Sequence, residues 1–571
     1  RYAVLAKAMA RKEVDPKRRR ELETIAETCR WVPANPPRSF YEALQCFWFT
    51  HLAVQIERNS DGISPGRFPL YLYPFYKKDK DAGKITEEEA IELLQFLFLR
   101  FCEVTKFWSE RLFQEDTANL LQTISLGGVD QKGQDATNDL DFLCLEAQRQ
   151  LRMIQPNLAI LYHDRMSDEF LLKAAEVVSI GIGMPPFFNS DLNVQGLMAK
   201  GVSLDDARNQ CVIGCVERGA ACTAAPMQGA GFSMPKMLEL ALHNGKDPLS
   251  GMQMGPQTGD PEKFQSYDEL KQAAREQLAY FVSRNIEYEH CAHAVIAECY
   301  PAPFSSALVE DCIQKGKDLY QGGARYNLHG FTPVGTVDLA DSMAAIKKLV
   351  FEDKTLTMKE LLAALTANFK GYEDIHRKLI DAPKYGNDDD YVDLIVREWY
   401  DAFYEEHQKG RDHLGNETTP FALSVSFHFP LGVRCGALPS GREAGLPLTD
   451  ASVSPEPGKD KLGPTALIRS TSKAIDTIKY ASGQLNMKFH PSALRSAEGR
   501  KKLISLIKSY MDLGGHHIQF NVVSADTLKD AQVHPENHKD LIVRVAGFSA
   551  FFIHLDPSVQ NEVIKRTELR L

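Results

Sequence analysis

The chain has 571 residues, of which 44% are hydrophobic and 25% charged, and its formal net charge is −10. This length exceeds what one ordinary core holds, so several domains or one unusually large barrel are expected; the composition is that of a folded globular protein and excludes a fibrous or disordered one. Lys and Arg are scattered without a long basic run, which argues against a nucleic-acid or membrane surface and leaves a small molecule as the expected partner.

The first residues, RYAVLAKAMARKEVDPKRRR, read as helix and lack the apolar stretch of a secretory signal. The chain opens on Arg1, so it reads as an excerpt. No run of about 18 apolar residues appears, and a cytoplasmic setting is expected. Apolar positions recur at three- and four-residue intervals over 39–57, 86–113, 135–153 and 167–180, which predicts amphipathic helices. Between them IQPNLAILYH, MPPFFNSD and NQCVIGCVERG have the length and flanking Gly or Pro of buried strands and loops, so the class is α/β. Residues 244–264 are rich in Gly, Pro and Asp and predict a long connection at a subdomain seam. PEPGKDKLGPT then divides the chain into a core over 1–450 and a C-terminal unit over 451–571. The 11 cysteines are spread along the chain without a disulfide framework or paired CxxC knuckles.

Two segments carry chemistry. In VRVAGFSAFFIHLD, Gly547 lies in an apolar stretch able to exclude water. A glycine α-carbon radical is delocalised into both flanking amides and flattens without a side chain to resist it, although an isolated glycine is more often simply a turn. In VIGCVERGA, Cys215 and Glu217 are two residues apart, and in extended backbone such residues face one side, so thiol and carboxyl could line one pocket. A lone Cys-x-Glu is more often a buried cysteine beside a solvated glutamate.

Together these segments resemble the glycyl radical enzyme family, with its GCVE-like active-site loop followed by an RVxG[YF] radical loop. ISPGRFPLYLYPFY near 63–76, KGKDLYQGGARYN near 315–327, GALPSGREAG near 436–445 and the C-terminal RTE extend the resemblance along nearly the whole chain. It implies a ten-stranded α/β barrel of two five-stranded halves surrounded by helices, with the Cys loop and Gly loop meeting inside, and part of the family domain lying upstream of this sequence. It implies that Gly547 stores the radical, that Cys215 becomes the thiyl attacking substrate, and that Glu217 is its acid/base partner. No permanently bound cofactor is expected, because a separate radical S-adenosylmethionine activase with an iron–sulfur cluster installs the radical. Relatives are commonly homodimers in anaerobic organisms, and a small accessory subunit is conceivable. CxxxC at Cys211 and Cys215 is not a cluster motif, and His516 and His517 diverge if they lie in a strand, so no metal is expected.

Cys215 is preceded by Gly214 rather than by a second cysteine, which disfavours formate-lyase chemistry, and Glu217 disfavours the hydrocarbon-adding branch. SDGISPGR puts Asp61 and Gly62 where diol- and choline-type members have His and Ser, and PMQGAGF puts Gln228 and Gly229 where a GWHDA-like stretch has His and Asp. Leu121 and Leu423 stand where polyol-type members place aromatic rings. A site short of polar groups pays about 1–3 kcal/mol for each substrate hydroxyl left unpaired, so an apolar or aromatic substrate is favoured. The reading is decarboxylation of an arylacetate-type acid, with Asp61 placed to accept an indole or phenol hydrogen. The alternatives are a dehydratase or a C–N or C–S lyase acting on a diol, choline, hydroxyproline or sulfonate, with Arg218 or Arg434 holding the anionic end, and a barrel scaffold without activity.

Overall fold

The computed structural model describes residues 1–58, 62–106 and 120–571, with the backbone alone for 226–228 and 230. Three of the four periodic segments form helices close to their expected length. Phe40–Glu57 starts where Ser39 Oγ accepts from the Glu42 N–H, Asp139–Leu151 where Asn138 and Asp141 cap each other reciprocally, and Asp168–Ser179 where Ser167 accepts from the Phe170 N–H. The fourth, Glu87–Glu103, opens on a Thr86/Glu89 capping box and ends with Val104 as its C-cap, while 107–113 of the expected span lie outside the described residues. Within 244–264, Gln277 of helix Tyr267–Cys299 donates to Pro256 O at 2.7 Å and ties the connection to that helix.

The central sheet has six strands in the order β1 (Thr123–Gly127), β2 (Asn157–Tyr162), β3 (Phe187–Asn189), β9 (His517–Val522), β8 (Gln484–Phe489) and β12 (Glu568–Leu569). β1, β2 and β3 are parallel, β9, β8 and β12 are parallel, and the two sets meet antiparallel at β3 and β9. The first three strands precede residue 450 and the other three follow it, so both parts of the chain share one sheet. Among the described residues the other ladders are pairs: β4 (Gln210–Ile213) with β5 (Glu217–Ala220), β6 (Ala224–Ser233) with β7 (Tyr326–Val334), and β10 (Ile542–Arg544) with β11 (Ser549–Phe551).

Single backbone bonds continue the wall of this α/β barrel where ladders stop. Arg218 N–H donates to Ala481 O, Ala481 N–H to Pro420 O, and Phe421 N–H to Phe331 O on β7. Both faces of the sheet are buried, as parallel strands require. Ile124, Leu126, Leu158, Ile160, Ile518 and Phe520 pack outward into the main core with the helices. Ala159, Leu161 and Phe188 point the other way, into a second cluster that contains Cys215, Ala546 and Phe548.

Candidate active site

Two hairpins enter that inner cluster. The first joins β4 to β5 through Gly214, Cys215 and Val216, with Ile213 opposite Glu217. Gly214 takes φ +60°, and its tip is held on both sides: its N–H donates to Ser64 Oγ at 3.1 Å, and its carbonyl accepts from Thr123 Oγ1 at 2.5 Å. Glu217 turns back under this tip. Its Oε2 accepts from the Cys215 N–H at 3.1 Å and the Val216 N–H at 2.9 Å. The carboxylate and the Cys215 backbone are therefore joined across a tight turn rather than by the strand alternation expected from the spacing, because the left-handed Gly214 starts the reversal of the chain just ahead of Cys215. Both residues are buried.

The second hairpin joins β10 to β11, and Val545 N–H donates to Phe548 O at 2.9 Å to close it. At its tip Gly547 adopts φ +84°. A Cβ built on Gly547 would overlap the Cys215 Cβ and stand 3.1 Å from Cys215 Cα and 3.3 Å from its Sγ. The glycine α-carbon thus packs directly against the Cys215 side chain, 332 positions away in the chain. Only a residue without a side chain allows this approach. The arrangement can pass a hydrogen atom between an α-carbon and a sulfur, with a carboxyl group beside them to move a proton.

The residues that hold the second hairpin carried no individual signal in the sequence. Arg544, fully buried, donates to Gly547 O at 2.8 Å, Gln519 Oε1 at 2.6 Å and Asn157 Oδ1 at 2.6 Å. Burial pushes this guanidinium down to about 9, and Cys215 is the charge that opposes the shift. Asn521 grips the Arg544 backbone on both sides, donating to its carbonyl and accepting from its N–H at 2.7 Å each. Asn486 Nδ2 and Arg566 both donate to Val545 O, and Arg566 is itself tied to Glu562 and Asp450. Asn157, Gln519, Asn486 and Asn521 lie at inward positions of neighbouring strands, and this polar row is what the loop docks on. Arg544 and Arg566 stand within the RVAG and RTE motifs, so the motifs marked them without disclosing what they do. Similarly, Arg67 of ISPGR donates to Gly127 O and Val129 O at the end of β1, and Arg442 of PSGREAG to Gly436 O.

Leu121 and Leu423 are buried in the same apolar cluster as Cys215, with Val216, Val425 and Phe429. Asp61 and the side chain of Gln228 lie outside the described residues; the Gln228 backbone pairs with Gly330. Arg218 is buried and donates to Thr477 O and Ile478 O at 2.9 Å each, a clamp on a loop, and Arg434 is exposed. His516 and His517 do diverge: His516 bonds to Asn193 Oδ1 and the Gly483 N–H, while the ring of His517 packs on Phe188 at 4.6 Å.

A barrel in which a buried glycine loop abuts a cysteine loop defines the class. Residues 1–432 match the pyruvate formate lyase-like family and residues 449–553 the glycine radical family, and the chain belongs to the glycyl radical enzymes. Among its relatives, trans-4-hydroxy-L-proline dehydratase of Clostridioides difficile is 40% identical over 576 residues, spanning 100% of this chain and 72% of its own. The solved structure of that dehydratase with its substrate superimposes with a TM-score of 0.97 at 39% identity, over 100% of this chain and 72% of the other. Indoleacetate decarboxylase of Tractidigestivibacter scatoligenes is 37% identical, over 99% of this chain and 67% of its own. A glycyl radical enzyme from Archaeoglobus fulgidus superimposes with a TM-score of 0.95 at 37% identity, over 100% of this chain and 73% of that one. These relatives are lyases rather than formate lyase itself, and this chain is a glycyl radical lyase.

Proposed function

We propose that Gly547 stores the radical, Cys215 relays it to substrate and Glu217 moves the proton, in the decarboxylation of an arylacetate-type acid. The observation that carries the relay is the contact of the Gly547 α-carbon with Cys215. In the resting cycle Gly547 Cα• takes the hydrogen of the Cys215 thiol, leaving a thiyl. The thiyl takes a hydrogen atom from the substrate α-carbon. As the carbon–carboxylate bond breaks, Glu217 gives a proton to that carbon, so that carbon dioxide and a benzylic-type radical result. The radical recovers a hydrogen atom from Cys215, and the thiyl recovers one from Gly547. A separate activating enzyme, using S-adenosylmethionine and an iron–sulfur cluster, would remove the first hydrogen from Gly547.

The choice of an apolar acid rests on the walls near Cys215, where Leu121, Leu423, Val425 and Phe429 are buried together. A hydroxyl-bearing substrate enclosed there would leave groups unpaired at about 1–3 kcal/mol each. A second reading, dehydration of a small hydroxylated substrate with Glu217 giving its proton to the leaving hydroxyl, is favoured by the 40% identity to a dehydratase. Anaerobic activation followed by electron paramagnetic resonance and a panel of arylacetates, diols, hydroxyproline, choline and sulfonates separates them. A glycyl doublet with carbon dioxide released from an arylacetate is the expected result. A doublet with dehydration alone selects the second reading, and no doublet with a competent activase removes both.

A further inference from the structure

His293, His329 and His413 come from three separate elements: helix Tyr267–Cys299, strand β7 and the loop that follows helix Asp390–Gln408. One ring nitrogen from each lies within 4.8 Å of the others. The rings approach with centroids 5.1–5.3 Å apart, His329 and His413 nearly parallel. We propose that these three histidines form a binding site for a divalent transition-metal ion, zinc foremost.

Among the described residues, the hydrogen bonds around His329 and His413 leave each ring a nitrogen with no donor occupying it. His329 Nδ1 sits 2.8 Å from Asp412 Oδ2, and a carboxylate only accepts, so Nδ1 carries the proton and Nε2 keeps its lone pair. Asp412 is itself fixed, its Oδ1 accepting from the N–H groups of Leu414 and Asn416 at 2.9 and 2.7 Å. A carboxylate orienting the far nitrogen of a histidine is the arrangement that metal-ligating imidazoles require. His413 Nε2 reaches only Tyr320 O, at 3.4 Å, and its buried Nδ1 has no partner. Ligand nitrogens about 2.0–2.1 Å from a tetrahedral zinc stand roughly 3.3 Å apart, so closure needs side-chain adjustments on the order of 1 Å. Three imidazoles with one open position suit zinc, cobalt or nickel better than magnesium or calcium, which prefer oxygen.

This site is separate from the radical site. Side chains alternate along a strand, so His329 and Phe331 share one face of β7. Phe331 packs against Phe403 and His407 of the outer helix Asp390–Gln408, whereas Thr332, on the other face, bonds to Leu423 O beside the inner cluster. The ion would sit in the wall between strand and helices and tie three distant segments together, a stabilising role rather than a step in turnover.

The test uses the full chain, stripped with chelator and titrated with Zn2+ and, separately, Co2+. About one ion per chain, visible absorption of tetrahedral Co2+ that Zn2+ abolishes, and a Zn2+-dependent rise in Tm are expected. His413→Asn, at a half-buried position, should lose the absorption and the rise, and Asp412→Asn should weaken binding by about 10–100-fold. Absence of Co2+ absorption in the wild-type chain overturns the proposal whether or not a variant folds. Equal binding by His413→Asn overturns it as well.

Discussion

The contact between Gly547 and Cys215 predicts a specific cost for a single methyl group. Gly547→Ala would place an L-residue at φ +84° and drive its Cβ into the Cys215 Cβ, 3.1 Å from that residue's Cα. The backbone conformation alone costs about 1–2 kcal/mol. Overpacking against a hairpin that Ser64 and Thr123 hold in place adds about 1–3 kcal/mol, so the whole effect is about 2–5 kcal/mol. Gly514 supplies the control: it has φ +89° and nothing within 4 Å of a Cβ built on it. Gly514→Ala should therefore lose only the backbone part. Urea unfolding of both variants under reducing conditions, analysed at equal m, measures the difference, expected at about 1–3 kcal/mol. If the two variants lose the same stability, the close approach of the two loops is wrong, and with it the direct relay.

Glu217→Gln should fold and accept the glycyl radical, because an amide oxygen can still receive the Cys215 and Val216 N–H bonds; turnover should drop by about 10²–10⁴ while the doublet persists, and unchanged turnover would remove Glu217 from proton transfer. Leu423→Ser should lower kcat/KM for an apolar substrate by about 10–200-fold and leave the doublet intact, measured in steady-state assays after activation. Asp141, buried and accepting from the Gly127 and Asn138 N–H groups, is raised to about 7 by burial. Its ionised form is the one penalised in the folded state, so its contribution to stability is full below about pH 4 and is lost as pH rises to 7. Asp141→Asn keeps an acceptor and removes the charge; relative to wild type it should gain about 3 kcal/mol between pH 5 and pH 8 in urea unfolding, and a pH-independent difference would contradict the assignment.

Local signals account for what the sequence disclosed. Ser39, Thr86, Asn138 and Ser167 each mark a helix start because a side-chain oxygen reaches an N–H only two or three residues on. The apolar runs at 157–162 and 187–189 are strands because buried parallel strands are apolar on both faces. Gly547, Cys215 and Glu217 were singled out by motif, and Leu121 and Leu423 by their place beside motifs. The turn that folds Glu217 back onto the Cys215 N–H was misjudged from spacing, since i and i+2 lie on one side only where the backbone stays extended.

The sequence by itself thus determined the α/β class, the family and the residues of the two loops, all written in short windows of adjacent positions. Tertiary structure alone decided that Gly547 touches Cys215, that Arg544 is held by Gln519 and Asn157, and that His293, His329 and His413 converge. Each of these contacts joins segments far apart in the chain, and no local period or spacing encodes which inward-facing positions the closing of the barrel brings together.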